Sequence, residues 1–281
     1  MKVVVLGSSG MLGHVVAASL KSNKDLVVIT ISRGKNFPDY KVDHLDQISA
    51  IIESIKPNFV INCIGLVKPF ISDFKPSTVL DATFINSIFP LQLIGLCEKF
   101  GIKLIQIATD CVYRGLKGPY NENDVHDADD IYGKTKSLGE INSQLAMNIR
   151  CSIIGPNPFG GHSLLNWVAT SKKNAVLNGY SNHFWNGVST YTFADVTERV
   201  ITQNIFMPGV SHLVPQNSVS KFELLKLIAK STNRNDLIIQ ETAAETAIDR
   251  TLSTLYPENN IKLWGANGPE SIPLISEMRL V

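Results

Sequence analysis

Cysteine is scarce in this chain and forms no pattern. Cys63, Cys97, Cys111 and Cys151 are spread over 281 residues with no C-x-x-C pair, and they read as reduced, mostly buried thiols of a cytoplasmic protein. The six histidines show no H-x-x-x-H spacing, so no metal is expected. An excess of one charge is also lacking. Lys and Arg number 26 against 25 Asp and Glu, and no basic cluster is longer than Lys172-Lys173, which leaves a nucleic-acid partner without support. Asp, Asn, Lys or Pro interrupts every apolar run before the roughly 18 residues of a membrane span. Met1-Lys2 leads directly into an apolar stretch, so neither a signal peptide nor a membrane location is expected. The remainder, 44% hydrophobic and 18% charged, is the composition of a globular chain with ample material for a core.

What is present begins at the N-terminus. The run Val3-Val4-Val5-Leu6 reads as a buried strand, Gly7-Ser8-Ser9-Gly10-Met11-Leu12-Gly13 as a glycine turn, and Leu12, Val15, Val16 and Leu20 as the apolar stripe of a helix. Strand, turn and helix in that order make a phosphate seat. Gly7 permits the tight turn, Gly10 lets backbone approach a pyrophosphate, and Gly13 allows close helix–strand packing. The helix N-terminus then offers unpaired N–H groups to the anion. The spacing is G-x-x-G-x-x-G rather than G-x-G-x-x-G, and a plain strand–helix turn would carry the same glycines.

A second strand, Leu26 to Ile31, ends at Ser32-Arg33-Gly34, where an NAD-preferring fold places an acidic residue for the ribose hydroxyls. Arg33 suits the 2′-phosphate of NADP instead; an exposed loop arginine is the alternative. Ile48, Ile51, Ile52 and Ile55 mark a short helix with Asp46 as its N-cap. Phe59 to Ile64 forms the third strand, and Cys63-Ile64-Gly65 at its end is small enough to lie against a cofactor. Thr78 to Phe100 reads as one long helix, kinked at Pro90 and stopped by Gly101. Asn86 inside it needs a hydrogen-bond partner if buried.

Lys103 to Ala108 is the fourth strand, and it delivers Thr109 and Asp110 to the carboxyl end of the sheet, where open α/β folds bind ligands. Cys111 to Asp130 reads as a loop bordering that site, with Asp124, Asp127, Asp129 and Asp130 solvated or at a helix entry. Tyr132 and Lys136 follow at i, i+4, on one helical face. A lysine beside a tyrosine favours the phenolate and brings a phenol of ordinary pKa about 10 nearer working pH, as reduction of a carbonyl requires of its proton donor.

Three pieces, Gly7 to Gly13, Ile107-Ala108-Thr109-Asp110-Cys111-Val112-Tyr113 and Tyr132-Gly133-Lys134-Thr135-Lys136, together resemble the short-chain dehydrogenase/reductase superfamily in its extended, nucleotide-sugar branch. Arg150-Cys151-Ser152-Ile153-Ile154-Gly155 is similar to that family's strand after the catalytic helix. The likeness is good to about residue 155. It implies a Rossmann-type doubly wound parallel sheet over 1–155 and a smaller substrate-binding lobe over 156–281, with a segment near 190–215 returning to the sheet. It also implies roles. Thr109 would hydrogen-bond the substrate carbonyl, Tyr132 would donate the proton, and Lys136 would hold the nicotinamide ribose and lower the pKa of Tyr132. Gly7, Ser9, Gly10, Met11 and Leu12 would face the pyrophosphate and Asp43-His44 the adenine, while Cys63, Ile64 and Gly65 would line the cofactor. Asp110 would border the sugar, as would Ile153, which stands where the family commonly has tryptophan.

Beyond residue 155 the signal thins. Pro156-Asn157-Pro158 and Gly160-Gly161 mark a turn. Leu164, Leu165 and Val168 suggest a helix, as do Phe193 to Phe206 and the set Phe222, Leu225 and Ile228, and His212-Leu213-Val214 suggests a late strand. Asn178 to Thr192 interleaves aromatics with amides; Asn182 and Trp185 are its candidates for substrate contact, and a packed lobe is the alternative. The resemblance implies an NADPH-dependent reductase of a nucleotide-linked 4-keto-6-deoxy sugar, with NADH left open and a homodimer as the common assembly. An epimerase or dehydratase of the same superfamily and a non-catalytic NADP-binding regulatory subunit are the alternatives.

Overall fold

The apolar runs become the strands of one parallel sheet, because only strands covered on both faces can be apolar at successive positions. A computed structural model describes residues 1–33, 39–41, 45–158, 160 and 163–281. In chain order the first half contains β1 (Lys2–Leu6), α1 (Gly13–Ser22), β2 (Val27–Ser32), β3 (Tyr40–Lys41), α2 (Leu45–Ile55) and β4 (Phe59–Asn62). It continues with α3 (Pro76–Thr83), a π turn (Phe84–Ile88), α4 (Phe89–Phe100), β5 (Lys103–Ala108), α5 (Ile131–Leu138) and β6 (Ala146–Arg150). The second half contains β7 (Ile153–Ile154), α6 (Leu164–Thr170), β8 (Val176–Tyr180), β9 (His183–Trp185), β10 (Val188–Ser189) and α7 (Thr190–Thr202). After these come β11 (Gly209–His212), β12 (Val219–Ser220), α8 (Lys221–Ser231), β13 (Ile238–Thr242), β14 (Ile248–Asp249) and α9 (Pro257–Trp264).

The main sheet has seven strands in the order β11-β6-β5-β4-β1-β2-β3, every pair parallel. Strand order reverses between β1 and β4, so the crevice at their carboxyl ends is the topological switch point where such sheets bind ligands. Val3, Val5, Phe59 and Ile61 face a core shared with α1 and α7, and Val4, Leu6 and Val60 face one shared with α2 and α4. This is the doubly wound α/β fold that the alternating pattern implies. Around it lie three small sheets, β7 with β10, β8 with β13, and β9 between β12 and β14.

Two local expectations change. Asp46 does not cap α2; it sits inside the first turn, after Leu45, where its charge still favours the positive end of the helix dipole. The long helix begins at Pro76, and its irregularity is a π turn rather than a simple kink, with the Phe89 N–H bonding to Phe84 O. Pro90 has no N–H to give and its ring would crowd the Asn86 carbonyl in a regular helix; one wide turn takes up the extra residue. Gly101 ends the helix at φ 65°, as a left-handed cap. The whole stretch Pro76–Phe100 has the length of a membrane span, and an 18-residue window within it reaches a mean hydropathy of 1.5. Here Phe89, Leu93, Ile94 and Cys97 pack into the sheet core, while Leu80, Phe84, Ile88 and Leu91 stay exposed.

Candidate active site

The glycine turn is shaped by contacts of the chain with itself. Gly7 has φ +75°, and a Cβ there would come within 3.1 Å of the backbone of Cys63 and Ile64. A Cβ on Gly13 would run into the Gly7 carbonyl, and one on Gly10 would lie 3.3 Å from the same oxygen. Helix α1 therefore begins hard against β1, and no side chain caps it. Its first N–H groups and its dipole suit a pyrophosphate. Ser9, Gly10 and Met11 reach the surface of the turn, whereas the Leu12 side chain is buried in the core. Ser8 is fully buried with no partner for its hydroxyl among the described residues. A cleft of about 440 Å³ opens beside the turn, lined by Ser8, His14, Lys21, Thr30 and Asp39. Arg33 stands exposed at the end of β2, while Asp43 and His44 lie outside the described residues.

The loop after β4 is held from below. Asn62 is fully buried; it accepts from the Ile64 N–H at 3.0 Å and donates to Gln106 at 2.8 Å. Cys63 and Ile64 are thereby half-buried at the strand end and Gly65 is exposed. Asn86, freed from regular helical geometry by the π turn, clamps Leu66 through two 2.9 Å bonds and reaches Thr135 Oγ1 at 3.2 Å. Ser87 donates to the Thr135 carbonyl at 2.7 Å. The partner that a buried Asn86 requires is thus the helix bearing Tyr132 and Lys136. The periodic pattern of the helix hides this role; only an amide beside a proline hints at it.

On the other wall, Thr109 follows β5 and accepts from the Cys111 N–H at 3.2 Å, while its hydroxyl donates to Asp110 at 3.2 Å. Asp130 caps α5 by accepting from the Gly133 N–H at 2.7 Å, and Lys68 holds that carboxylate at 2.5 Å. The cap starts α5 in time to bring Tyr132 back beside Thr109. Lys136, buried on the same face, donates to the Ile107 carbonyl at 2.8 Å. Burial lowers its pKa to about 8, against a smaller pull from Glu140.

The expected depression of the Tyr132 pKa is not found. Burial raises it well above the ordinary phenol value, Cys111 and two carboxylates add to the rise, and the nearby Thr109 hydroxyl opposes it. The ammonium of Lys136 shares the helical face but is drawn to a strand carbonyl, and desolvation of the phenolate outweighs it.

In the lobe, two candidates for substrate contact are occupied elsewhere. Asn182 exchanges two hydrogen bonds with Ala244, at 2.8 and 2.9 Å. Trp185 is 3% exposed and donates to Ser152 Oγ at 2.8 Å. Asn186 likewise clamps Leu252. The interleaved amides are cross-links of the small sheets, since a buried amide must satisfy itself on backbone. Ile153 is half-buried on β7, paired with Val188 of β10. Asp110 is buried beside Thr109. Sequence reasoning missed Lys68 and Arg250. Arg250 donates to the Tyr113 carbonyl at 2.7 Å and, with Lys68, opposes the rise that burial imposes on the Cys111 pKa. Isolated basic residues in loops carry no signal of this.

Behind the site lies a second polar assembly. Arg150, 1% exposed, grips Glu140 in a fork of 2.9 and 2.5 Å and donates to Tyr113 at 2.7 Å, His212 Nε2 at 2.7 Å and His126 Nε2 at 2.8 Å. Both imidazoles accept from a guanidinium through Nε2 and so are neutral, with the proton on Nδ1. His212 gives that proton to Ser253 O at 2.6 Å and His126 to Ser137 Oγ at 2.7 Å.

A family model described as "RmlD substrate binding domain" matches residues 1–258. The chain belongs to the RmlD substrate binding domain family. That places it within the extended short-chain dehydrogenase/reductase superfamily. Among RmlD relatives, the spore coat polysaccharide biosynthesis protein SpsK of Bacillus subtilis is 29% identical over 251 residues, covering 87% of this chain and 84% of its own. Methionine adenosyltransferase 2 subunit beta of Xenopus laevis is 26% identical over 246 residues, 83% of this chain and 72% of that protein. In structure, the dTDP-4-dehydrorhamnose reductase of Bacillus anthracis, solved in complex with NADP, superposes at a TM-score of 0.77 with 19% identity, over 98% of this chain and 96% of that one. The likeness to a solved RmlD-type fold spans the lobe as well as the sheet.

Proposed function

We propose that this protein is an NADPH-dependent reductase of a nucleotide-linked 4-keto-6-deoxy sugar. The observation that carries this reading is the placing of Tyr132 beside Thr109 at the carboxyl end of β5, with Lys136 on the same face of α5. NADPH, when bound, supplies the hydride. The uncapped start of α1 would hold its pyrophosphate, Arg33 its 2′-phosphate, and Lys136 its nicotinamide ribose through the two ammonium protons not given to Ile107. Tyr132, kept protonated by its surroundings, gives its proton to the carbonyl oxygen as that oxygen becomes an alkoxide. Thr109, whose hydroxyl can turn from Asp110 to the same oxygen, steadies the developing charge. A phenol of raised pKa is a weak acid at rest, but it needs to match only an alkoxide, which is far more basic.

The test is NADPH consumption at 340 nm over a panel of nucleotide-linked 4-keto-6-deoxy sugars. Tyr132→Phe is expected to lose about 10²- to 10⁴-fold in kcat with NADPH affinity retained. Near-normal turnover by that variant would sink the assignment. The similarity to a methionine adenosyltransferase subunit supports a second reading, a regulatory NADP-binding protein; NADPH binding with no consumption across the panel is its signature.

A further inference from the structure

The helix that bears Tyr132 and Lys136 is not anchored in an apolar core. α5 is eight residues long, too short to persist by itself. The residues it buries are Gly133, Thr135 and Lys136, none with an apolar side chain, so directional polar bonds have to set its position. At the front these come from Asp130 and Lys68, both partly in solvent. In the middle they come from Asn86 and Ser87. At the rear they converge on Arg150, the last residue of β6.

A guanidinium has five N–H groups, and Arg150 meets five acceptors: both carboxylate oxygens of Glu140, Tyr113 Oη, His212 Nε2 and His126 Nε2. Two of these partners hold α5. Glu140 lies two residues past its end, and His126 is bonded to Ser137 Oγ, next to Lys136. Tyr113 belongs to the opposite half of the site. It follows the short 3₁₀ turn Asp110–Val112, which Thr109 begins by accepting from the Cys111 N–H. The Tyr113 N–H closes the same turn on the Asp110 carbonyl at 3.0 Å. Thr109 and Tyr113 are therefore the two ends of one small rigid unit. Arg150 grips that unit and the helix of Tyr132 with a single planar group.

Stability is a poor account of such an arrangement, because apolar side chains of similar volume often replace a buried ion cluster without loss. What they cannot supply is direction. Hydrogen bonds weaken steeply off axis, so a fully bonded guanidinium fixes the angle between the turn and the helix.

We propose that Arg150 is a positioning residue of the reaction. From behind the site, 1% exposed, it keeps Thr109 on one side and Tyr132 with Lys136 on the other in the relation that proton and hydride transfer need. This rests on the reductase reading.

The experiment compares full-length wild type with Arg150→Met, the double variant Arg150→Met/Glu140→Met, and Tyr113→Phe. Melting temperature, kcat, KM, NADPH affinity and the isotope effect with NADPH deuterated at the transferred hydrogen are measured for each. Arg150→Met leaves Glu140 buried without its cation and should melt lowest. The double variant removes both charges and should regain most of the melting temperature, but not the geometry. Its kcat is expected to stay about 10- to 100-fold low, as for a displacement of the reacting groups by roughly 1 Å. KM should change little and the isotope effect should rise, since the chemical step becomes limiting. Tyr113→Phe cuts only the tie to the Thr109 turn, and a loss of about threefold to tenfold in kcat is expected with the fold kept. A double variant with wild-type kcat and isotope effect overturns the positioning role. Activity that merely tracks melting temperature, with the isotope effect unmoved, overturns it too. If the double variant does not fold, Tyr113→Phe decides, and unchanged kcat and isotope effect there overturn the proposal. A wild type that binds NADPH but reduces no keto-sugar fails the reductase reading instead. NADPH affinity then reports the placing of Lys136: weakening of about threefold to tenfold in the folded variants supports the role of Arg150, and unchanged affinity overturns it.

Discussion

The two walls of the cleft are made by different means. On the nucleotide side the chain's backbone shapes the surface: glycines at 7, 10 and 13, an uncapped helix start, and a strand end held by a buried amide. On the lobe side the contacts are made by side chains: Arg250, just past β14, donates to the Tyr113 carbonyl, and Trp185, closed off from solvent, donates to Ser152. A backbone surface tolerates almost no substitution, because the atoms in the way cannot rotate aside. A side-chain surface can be altered one residue at a time with the fold preserved.

That contrast is sharpest at Gly13. An added Cβ would meet the Gly7 carbonyl, which is backbone on both partners. Gly13→Ala is expected to lower the melting temperature by many degrees and abolish NADPH binding. A Gly13→Ala protein with wild-type melting temperature and cofactor affinity would erase the distinction between the walls.

The next effect concerns Arg150, which ties α5 behind the nucleotide wall to β11 and to the chain near Ser253 on the lobe side. Glu140→Ala leaves a buried guanidinium without its carboxylate, and breaking such a pair costs about 3–5 kcal/mol. Chemical denaturation should show a loss of that order. A change below about 1 kcal/mol would mean that the imidazoles and Tyr113 suffice to hold the guanidinium.

The same assembly sets a pH dependence. Burial, reinforced by Arg150, lowers the His212 pKa to about 4; burial is also the main cause of the lowered His126 value. Both pKa values are depressed in the folded state, so the unfolded chain binds protons first as pH falls. Stability from these groups is complete above the unfolded value of about 6.5 and is lost as pH falls from there toward about 4. Melting temperature should drop between pH 7.5 and pH 5, and less so in His212→Gln. Identical slopes for the two proteins would remove His212 from the account.

The smallest effect is at Arg33, exposed at the end of β2. Arg33→Ala is expected to reduce the preference for NADPH over NADH about tenfold, with little change in stability, as suits one solvent-facing phosphate contact. An unaltered ratio would assign the 2′-phosphate to other residues.

Periodicity made the sheet readable, because parallel strands buried on both faces leave unbroken apolar runs such as Val3-Val4-Val5-Leu6. The glycine turn and the Tyr132–Lys136 pair were readable for a related reason: each is a local pattern whose geometry follows from one turn or one helix. The approach of Arg250 to the Tyr113 carbonyl depends on the pairing of β14 with β9, which no local pattern encodes. Trp185 and Asn182 could not be placed from sequence because aromatics and amides serve packing and ligand contact equally well; their hydrogen bonds here are to Ser152 and Ala244. For the Tyr132 pKa, proximity along the helix was taken as proximity of charge, but the ammonium points at a strand.

The π turn at 84–88 has a consequence for insertions and deletions. A helix advances about 100° per residue, so the one extra residue held in the wide turn is what keeps the faces of α3 and α4 in their present phase. Removing a single residue from Phe84–Ile88 would let the two helices join as one regular rod, a change that most helices suffer badly and this one could absorb in hydrogen bonds. The cost would fall elsewhere: Asn86 would turn away from Leu66 and Thr135, and α5 would lose its brace. A one-residue deletion here is thus a lesion of the Tyr132 helix carried on a helix made more regular.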